Sequence, residues 1–165
     1  MRPPGQGGAG VKISPVIVID SREQRPWEFH NLPSEPGSLS AGDYSLRNLT
    51  HLISVERKSL DDLLACVGIH RDRFKRELQR LKAYRFRALI TETDHSTLER
   101  GMWRSKIQPS HVLGSLAAWQ CQYSLPVMLV GTHEADARFC ERFLYQAARC
   151  VAQENKAIGC HEAVA

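Results

Sequence analysis

Four consecutive β-branched residues, Val16-Ile17-Val18-Ile19, end in Asp20 and restrict the fold more than any other feature of the chain. Side chains alternate across a strand, so a run that is apolar at every position must be covered on both faces. The run is far shorter than the ~20 apolar residues a membrane span needs. Similar runs recur at Thr50 to Glu56, Ala88 to Glu92 and Pro126 to Val130, each the length of a strand. Helical spacing separates them. Leu60, Leu63, Leu64 and Val67 follow Ser59, a natural N-cap with acids just behind it, and Gly68 is a plausible stop. Phe74, Leu78 and Leu81 mark a second helix from about Arg71 to Tyr84, and further helices are expected at about Ser110 to Cys121 and Ala135 to Gln153. Tyr44-Ser45-Leu46 should pair with Thr50 to Glu56 as a hairpin through Arg47-Asn48-Leu49. Asn31 to Gly37, with Pro33 and Pro36, and Thr93 to Pro109 are expected as loops. The alternation predicts an α/β domain with a central mixed β-sheet flanked by α-helices.

The 165 residues suit one domain, expected over 15–154, with a flexible Gly/Pro-rich tail at 1–14 and a C-terminal tail at 155–165. The N-terminal tail lacks the apolar stretch of a signal peptide, so an intracellular protein (cytoplasm, nucleoid or nucleus) is expected, with no membrane partner. Five scattered cysteines form no Cys-x-x-Cys pair, and the seven histidines show no His-x-x-x-His. Reduced structural thiols fit better than disulfides or zinc. No nucleotide cofactor is expected. The net charge of +4 is mild, but its distribution is uneven. Between His70 and Arg87, eight cations (Arg71, Arg73, Lys75, Arg76, Arg80, Lys82, Arg85 and Arg87) face only Asp72 and Glu77. Such a segment is either a solvated helix face or a grip on a phosphate backbone.

Chemistry gathers at the strand ends. Asp43 stands at the start of one strand, with Glu56 and Lys58 at the end of its neighbour. Strand alternation puts Glu56 and Lys58 on one face and turns Arg57 away. Two convergent carboxylates and a lysine make a hard-oxygen site for Mg²⁺ or Mn²⁺, which can polarise a phosphate and lower the pKa of a bound water. The lysine can position the attacking water and offset transition-state charge. The pattern alone would more readily describe a surface ion-pair cluster.

The surroundings add to it. Ile19-Asp20-Ser21-Arg22-Glu23, Gly42-Asp43-Tyr44 and Val55-Glu56-Arg57-Lys58-Ser59, with Asp62, closely resemble the XPF-family (XPF/Mus-type) nuclease domain and its Gly-Asp…Glu-Arg-Lys-x-x-x-Asp signature. The likeness runs from roughly Val16 to Val151. The resemblance implies a restriction-endonuclease-like (PD-(D/E)xK) core and a Mg²⁺- or Mn²⁺-dependent endodeoxyribonuclease that acts on branched, flap or fork DNA in repair or recombination. It implies Asp43 and Glu56 as principal metal ligands, Lys58 as the catalytic lysine, and Asp20 as a further acid at the metal, directly or through water. Arg22, Glu23, Arg57 and Asp62 would complete the site by orienting the acids or contacting the phosphate. Family members usually work as dimers, so a homodimer is a possible assembly. Many carry a helix-hairpin-helix module after the nuclease, and neither that module nor helicase motifs occur in this sequence, which looks like stand-alone bacterial or phage versions.

Two rivals stand beside this reading. One is a catalytically silent, nuclease-fold DNA-binding subunit, although silent relatives lose the acids that are intact here. The other is a different PD-(D/E)xK nuclease such as a junction resolvase, against which the Arg-Lys-Ser continuation after Glu56 speaks. Asp62 could serve simply as a first-turn helix acid. Glu92 is either an acid behind the site or a cap or ion-pair partner. Arg71, Arg73, Lys75, Arg76 and Arg80 are the expected DNA-backbone contacts. Trp27 and Trp103, placed in loops, are candidate DNA contacts, whereas Trp119 reads as core. Phe139, Phe143 and Ala147 form a stripe suited to core or to a dimer contact.

Overall fold

The structure, a computed structural model, describes residues 12–159; most of the two expected tails, and Cys160, lie outside the described residues. In chain order the elements are β1 (Ile17–Asp20), β2 (Ser34–Gly37), β3 (Tyr44–Leu46), β4 (Ile53–Lys58), α1 (Leu60–Val67), α2 (Arg71–Leu81), β5 (Phe86–Thr91), α3 (His95–Arg100), α4 (Pro109–Tyr123), β6 (Val127–Leu129) and α5 (His133–Ala157). The strands form one sheet in the order β2-β1-β3-β4-β5-β6. β3 runs antiparallel to both β1 and β4, while β1–β2, β4–β5 and β5–β6 are parallel. The mixed sheet and the β3–β4 pairing are as the sequence predicts.

The all-apolar strands are covered on both faces. On one, α5 places Ala137, Cys140, Leu144 and Ala147 against Ile17, Tyr44, Leu46, Ile53, Val55, Ala88 and Ile90. On the other, Leu63 and Leu64 of α1, Phe74 and Leu78 of α2, and Val112, Leu116 and Trp119 of α4 pack with Leu89. Alternation along β4 therefore decides the chemistry. Ile53 and Val55 belong to the α5 face, so Arg57 follows them there, and Glu56 and Lys58 emerge on the α1–α2 face.

Three expectations need correction. Ser34–Gly37 is not loop but an edge strand, paired in parallel with β1 from Ile17↔Ser34 to Asp20↔Gly37. Pro36 is tolerated there because an edge strand has one side without partners. Inside the expected loop after Thr93 lies α3, whose N-cap Asp94 accepts a bond from the Thr97 N–H at 2.7 Å and whose end is Gly101 at φ 63. With one buried apolar residue, Leu98, it is too short to show a period. At the C-terminal end, α5 continues to Ala157, past the expected end at Gln153. Cys66, Cys121, Cys140 and Cys150 are free thiols. Among the described residues no helix is long and apolar enough to cross a membrane.

Candidate active site

A cleft of about 530 Å³ opens at the end of the sheet where β4 finishes, lined by Asp20, Arg22, Glu23, Asp43, Glu56, Lys58, Asp62, Arg73, Glu77 and Arg80 among others. The turn ahead of Asp43 is fixed by Gly42, at φ 74. A Cβ there would lie 2.2 Å from Ser54 Oγ and 2.9 Å from the Val55 carbonyl oxygen. That close approach lets the Asp43 N–H donate to Val55 O at 2.8 Å, while Asp43 O accepts from the Asp20 N–H at 2.8 Å. Asp43 is thereby tied to both strands that carry the other acids. One of its carboxylate oxygens, Oδ2, accepts from the Arg57 N–H at 2.8 Å.

Lys58 Nζ donates to Glu56 Oε1 at 2.5 Å and stands 3.9 Å from Glu77 Oε2. Its ammonium also lies 5.0 Å above the Phe74 ring. Burial alone would lower the Lys58 pKa, but the charge and hydrogen bond of Glu56 outweigh it and hold the ammonium above its ordinary value. Burial raises Asp43 to about 8, with the Glu56 charge adding to it and the Arg57 hydrogen bond opposing. Glu56 is likewise pushed up by burial, against the pull of Lys58. Two crowded carboxylates thus share one lysine, a charge arrangement that a divalent cation would relieve.

The expected residues divide in role. Asp20 is 2 % exposed, and its carboxylate takes bonds from Arg22 Nε (2.7 Å), Arg22 Nη2 (3.0 Å), the Arg22 N–H (2.9 Å) and the Leu39 N–H (2.8 Å). The Arg22 bond chiefly holds its pKa down, to about 2. Both of its oxygens accept hydrogen bonds, whereas Asp43 and Glu56 each accept through one oxygen, Oδ2 and Oε1. Among the described residues no three His, Cys, Asp or Glu side chains converge as a metal cluster. A carboxylate pair still fits Mg²⁺, which keeps several waters and takes the rest of its shell from substrate phosphate. Asp62 lines the cleft and also braces Ser59, the N-cap of α1. Its carboxylate accepts from Ser59 Oγ at 2.7 Å, and its N–H donates back to Ser59 Oγ at 3.2 Å.

The basic helix is also divided. Arg73 and Arg80 line the cleft with Glu77 between them. Arg71 instead donates to Val67 O at 3.2 Å and Ser115 Oγ at 3.0 Å, locking α2 to α4. Lys75 and Arg76 lie outside the cleft. Trp27, a candidate DNA contact, is 2 % exposed and stacked on Tyr44 at 4.6 Å. Trp103 is half-buried, its Nε1 donating to Ile107 O at 2.9 Å.

Beneath the cleft, Arg57 Nε donates to Glu92 Oε1 at 2.7 Å and Nη1 to Glu23 Oε1 at 3.2 Å. The same Glu92 oxygen receives Trp27 Nε1 at 3.2 Å and lies 2.6 Å from His133 Nδ1. Sequence reading missed Glu77, His133 and Asp136. Glu77 had a signal, an acid four residues after Arg73 in a basic helix. His133 had none, because its partner is set by the β5–β6 register.

The sequence profile of the ERCC4 domain matches residues 19–143. Among solved structures, XPF from Aeropyrum pernix aligns with a TM-score of 0.63 and 21% identity, covering 81% of this chain and 61% of that one. XPF from Aeropyrum pernix in complex with DNA aligns with a TM-score of 0.63 and 21% identity over 82% and 66% of the two chains. At that identity the likeness is one of fold, and this chain spans a little under two thirds of either structure. No curated protein matches its sequence.

Proposed function

The chain belongs to the ERCC4 domain family and has its restriction-endonuclease-like fold, and from that premise we propose that it is a Mg²⁺- or Mn²⁺-dependent DNA endonuclease. The observation that carries this reading is the single cleft in which Asp43, Glu56 and Lys58 meet under Arg22, Arg73 and Arg80. Asp43 and Glu56 would hold the cation, and when bound it supplies polarisation of the phosphate, activation of water and relief of leaving-group charge. Lys58, held cationic by Glu56, orients the attacking water and offsets the charge that develops on the phosphate oxygens. Arg73 and Arg80 on one wall and Arg22 on the other receive the flanking phosphates. Arg57 keeps Asp43 in place through its backbone N–H. The reaction is hydrolysis, with water as nucleophile and no covalent enzyme intermediate. Branched, flap or fork DNA is the proposed substrate class, in keeping with a fold shared with an XPF solved in complex with DNA.

The test is cleavage of end-labelled flap, fork, junction and linear duplexes with Mg²⁺ or Mn²⁺. Lys58→Ala and Asp43→Asn are expected to lose cutting by at least ~100-fold while keeping most of their DNA affinity. Wild-type protein that binds branched DNA but cuts none with either ion would overturn the proposal.

A further inference from the structure

Of the four acids on α5 three are buried or paired, whereas its four cations are all exposed. Asp136 is fully buried, and Glu141 is 5 % exposed, accepting from the Asn31 and Leu32 N–H groups at 2.8 Å and from Asn31 Nδ2 at 2.6 Å. Glu154 is paired with Arg85. Only Glu134, in the first turn, is an exposed acid without an ion-pair partner among the described residues. By contrast Arg138, Arg142, Arg149 and Lys156 are all exposed, and none enters a salt bridge among the described residues. At ~100° per residue the four lie within about 40° of one another, a straight row along the helix. At ~1.5 Å per residue the row is about 27 Å long, too long for one small anion and close to the rise of roughly eight base pairs.

The placement of the row matters as much as its charge. α5 begins beside the cleft end of the sheet, where His133 meets Glu92, and finishes beside the start of β5, where Glu154 meets Arg85. It covers the opposite face of the sheet from α1 and α2, whose residues wall the cleft. A straight duplex cannot lie along both faces of a slab. DNA that touches the cleft and the row together must branch or bend around the edge of the sheet.

We infer that the outward face of α5 is a second DNA-backbone contact, gripping a duplex arm that turns away from the cleft; this rests on the nuclease reading above. Row and cleft together would favour branched over straight DNA by geometry, with no base read. Four unpaired cations on a rigid helix suit a regular polyanion, since each phosphate contact releases counterions and needs no unique pocket.

The test measures binding by the full chain with divalent ions chelated, so that a failure of the cleavage chemistry leaves the result untouched. The probes are a fork with two duplex arms and a linear duplex of equal length, each titrated at several salt concentrations. Arg142→Glu with Arg149→Glu should weaken fork binding at least ~10-fold and flatten its log K against log salt slope by about 2. Binding to the linear duplex should stay within about twofold. Gln153→Lys, which adds a cation at an exposed position between Arg149 and Lys156, should tighten fork binding several-fold. Melting curves of the variants check that each remains folded. Unchanged fork affinity in the folded double variant overturns the inference, and so does an equal loss on both DNAs. Altered self-association with fork binding intact assigns the row to a protein contact and overturns it too.

Discussion

Arg57 shows how a residue can serve an active site from behind it. Its backbone faces Asp43, and its guanidinium is held on the far side of the sheet by Glu92 and Glu23, with Trp27 5.9 Å away. Burial opposes ionisation of Glu92, but the bonds from Arg57 and His133 outweigh it and keep its carboxyl below the usual range. Replacing Glu92 with Gln strands part of a buried charge. Glu23 remains, so the expected loss is roughly 2–3 kcal/mol, less than the ~3–5 of a fully broken buried pair. Urea unfolding of Glu92→Gln measures it, and a loss below about 0.5 kcal/mol would mean that Arg57 is held by other contacts. Asp136 poses the opposite problem. It is fully buried, its carboxylate has only weak help from the Gly131 backbone among the described residues, and burial first, then the Glu92 charge, raises its pKa from 3.8 to about 7. Between about pH 4 and 7 the folded protein holds a proton that the unfolded chain releases, so this residue costs stability as pH rises through that window. Asp136→Asn should match wild type near pH 4 and exceed it at pH 8 by on the order of 2–4 kcal/mol. A difference between the two proteins that does not change with pH would contradict this.

At the level of elements, the start of α1 and the turn before β3 carry the site. Ser59 caps the Asp62 N–H and donates its hydroxyl to the Asp62 carboxylate, so Asp62 has a structural duty that its place in the cleft does not need. Asp62→Asn keeps a side-chain oxygen for the cap and removes the charge, whereas Asp62→Ala removes both. If the cap is the main role, Asn should cost under about 0.5 kcal/mol and Ala about 1 kcal/mol, with cleavage rates at saturating metal within about threefold of wild type for both. A 100-fold rate loss in a stable Asp62→Asn variant would instead make the carboxylate part of the chemistry. Gly42→Ala should be worse than either, because its Cβ would meet backbone at a positive φ and displace Asp43. The ends of these elements explain what was readable. Ser59, Gly68, and the alternation that separates Glu56 and Lys58 from Arg57 are local rules written in adjacent residues. The strand at Ser34 was hidden because its pairing depends on β1, distant in sequence, and its prolines signal loop. Asp94 and Gly101 did mark α3, but one buried leucine gives no period to read.

Across the whole molecule, the sheet separates two kinds of positive charge, and sequence could locate the charges without telling their uses. The run from Arg71 to Arg87 looks uniform, yet folding directs its members to different tasks. Arg73 and Arg80 border the cleft, Arg71 is bonded to Val67 and Ser115, Arg85 is paired with Glu154, and Arg87 donates to the carbonyls of Tyr84 and Ser124. Trp27 was misread for the same reason. Its distance from Tyr44 and Glu92 along the chain concealed a buried stack. A comparison within α2 separates the tasks. Arg73→Glu with Arg80→Glu should weaken binding to linear and branched DNA alike and flatten the salt slope by about 2, since both duplexes enter the same cleft. Arg71→Ala should leave affinity and slope unchanged and lower stability by about 1 kcal/mol, because it removes hydrogen bonds that tie α2 to α4. The two measurements are anisotropy titrations across salt and denaturant melts on the same proteins. If Arg71→Ala weakened DNA binding as much as the cleft pair, the segment would be acting as one diffuse cationic patch. The division of labour that the fold imposes on it would then have no bearing on DNA.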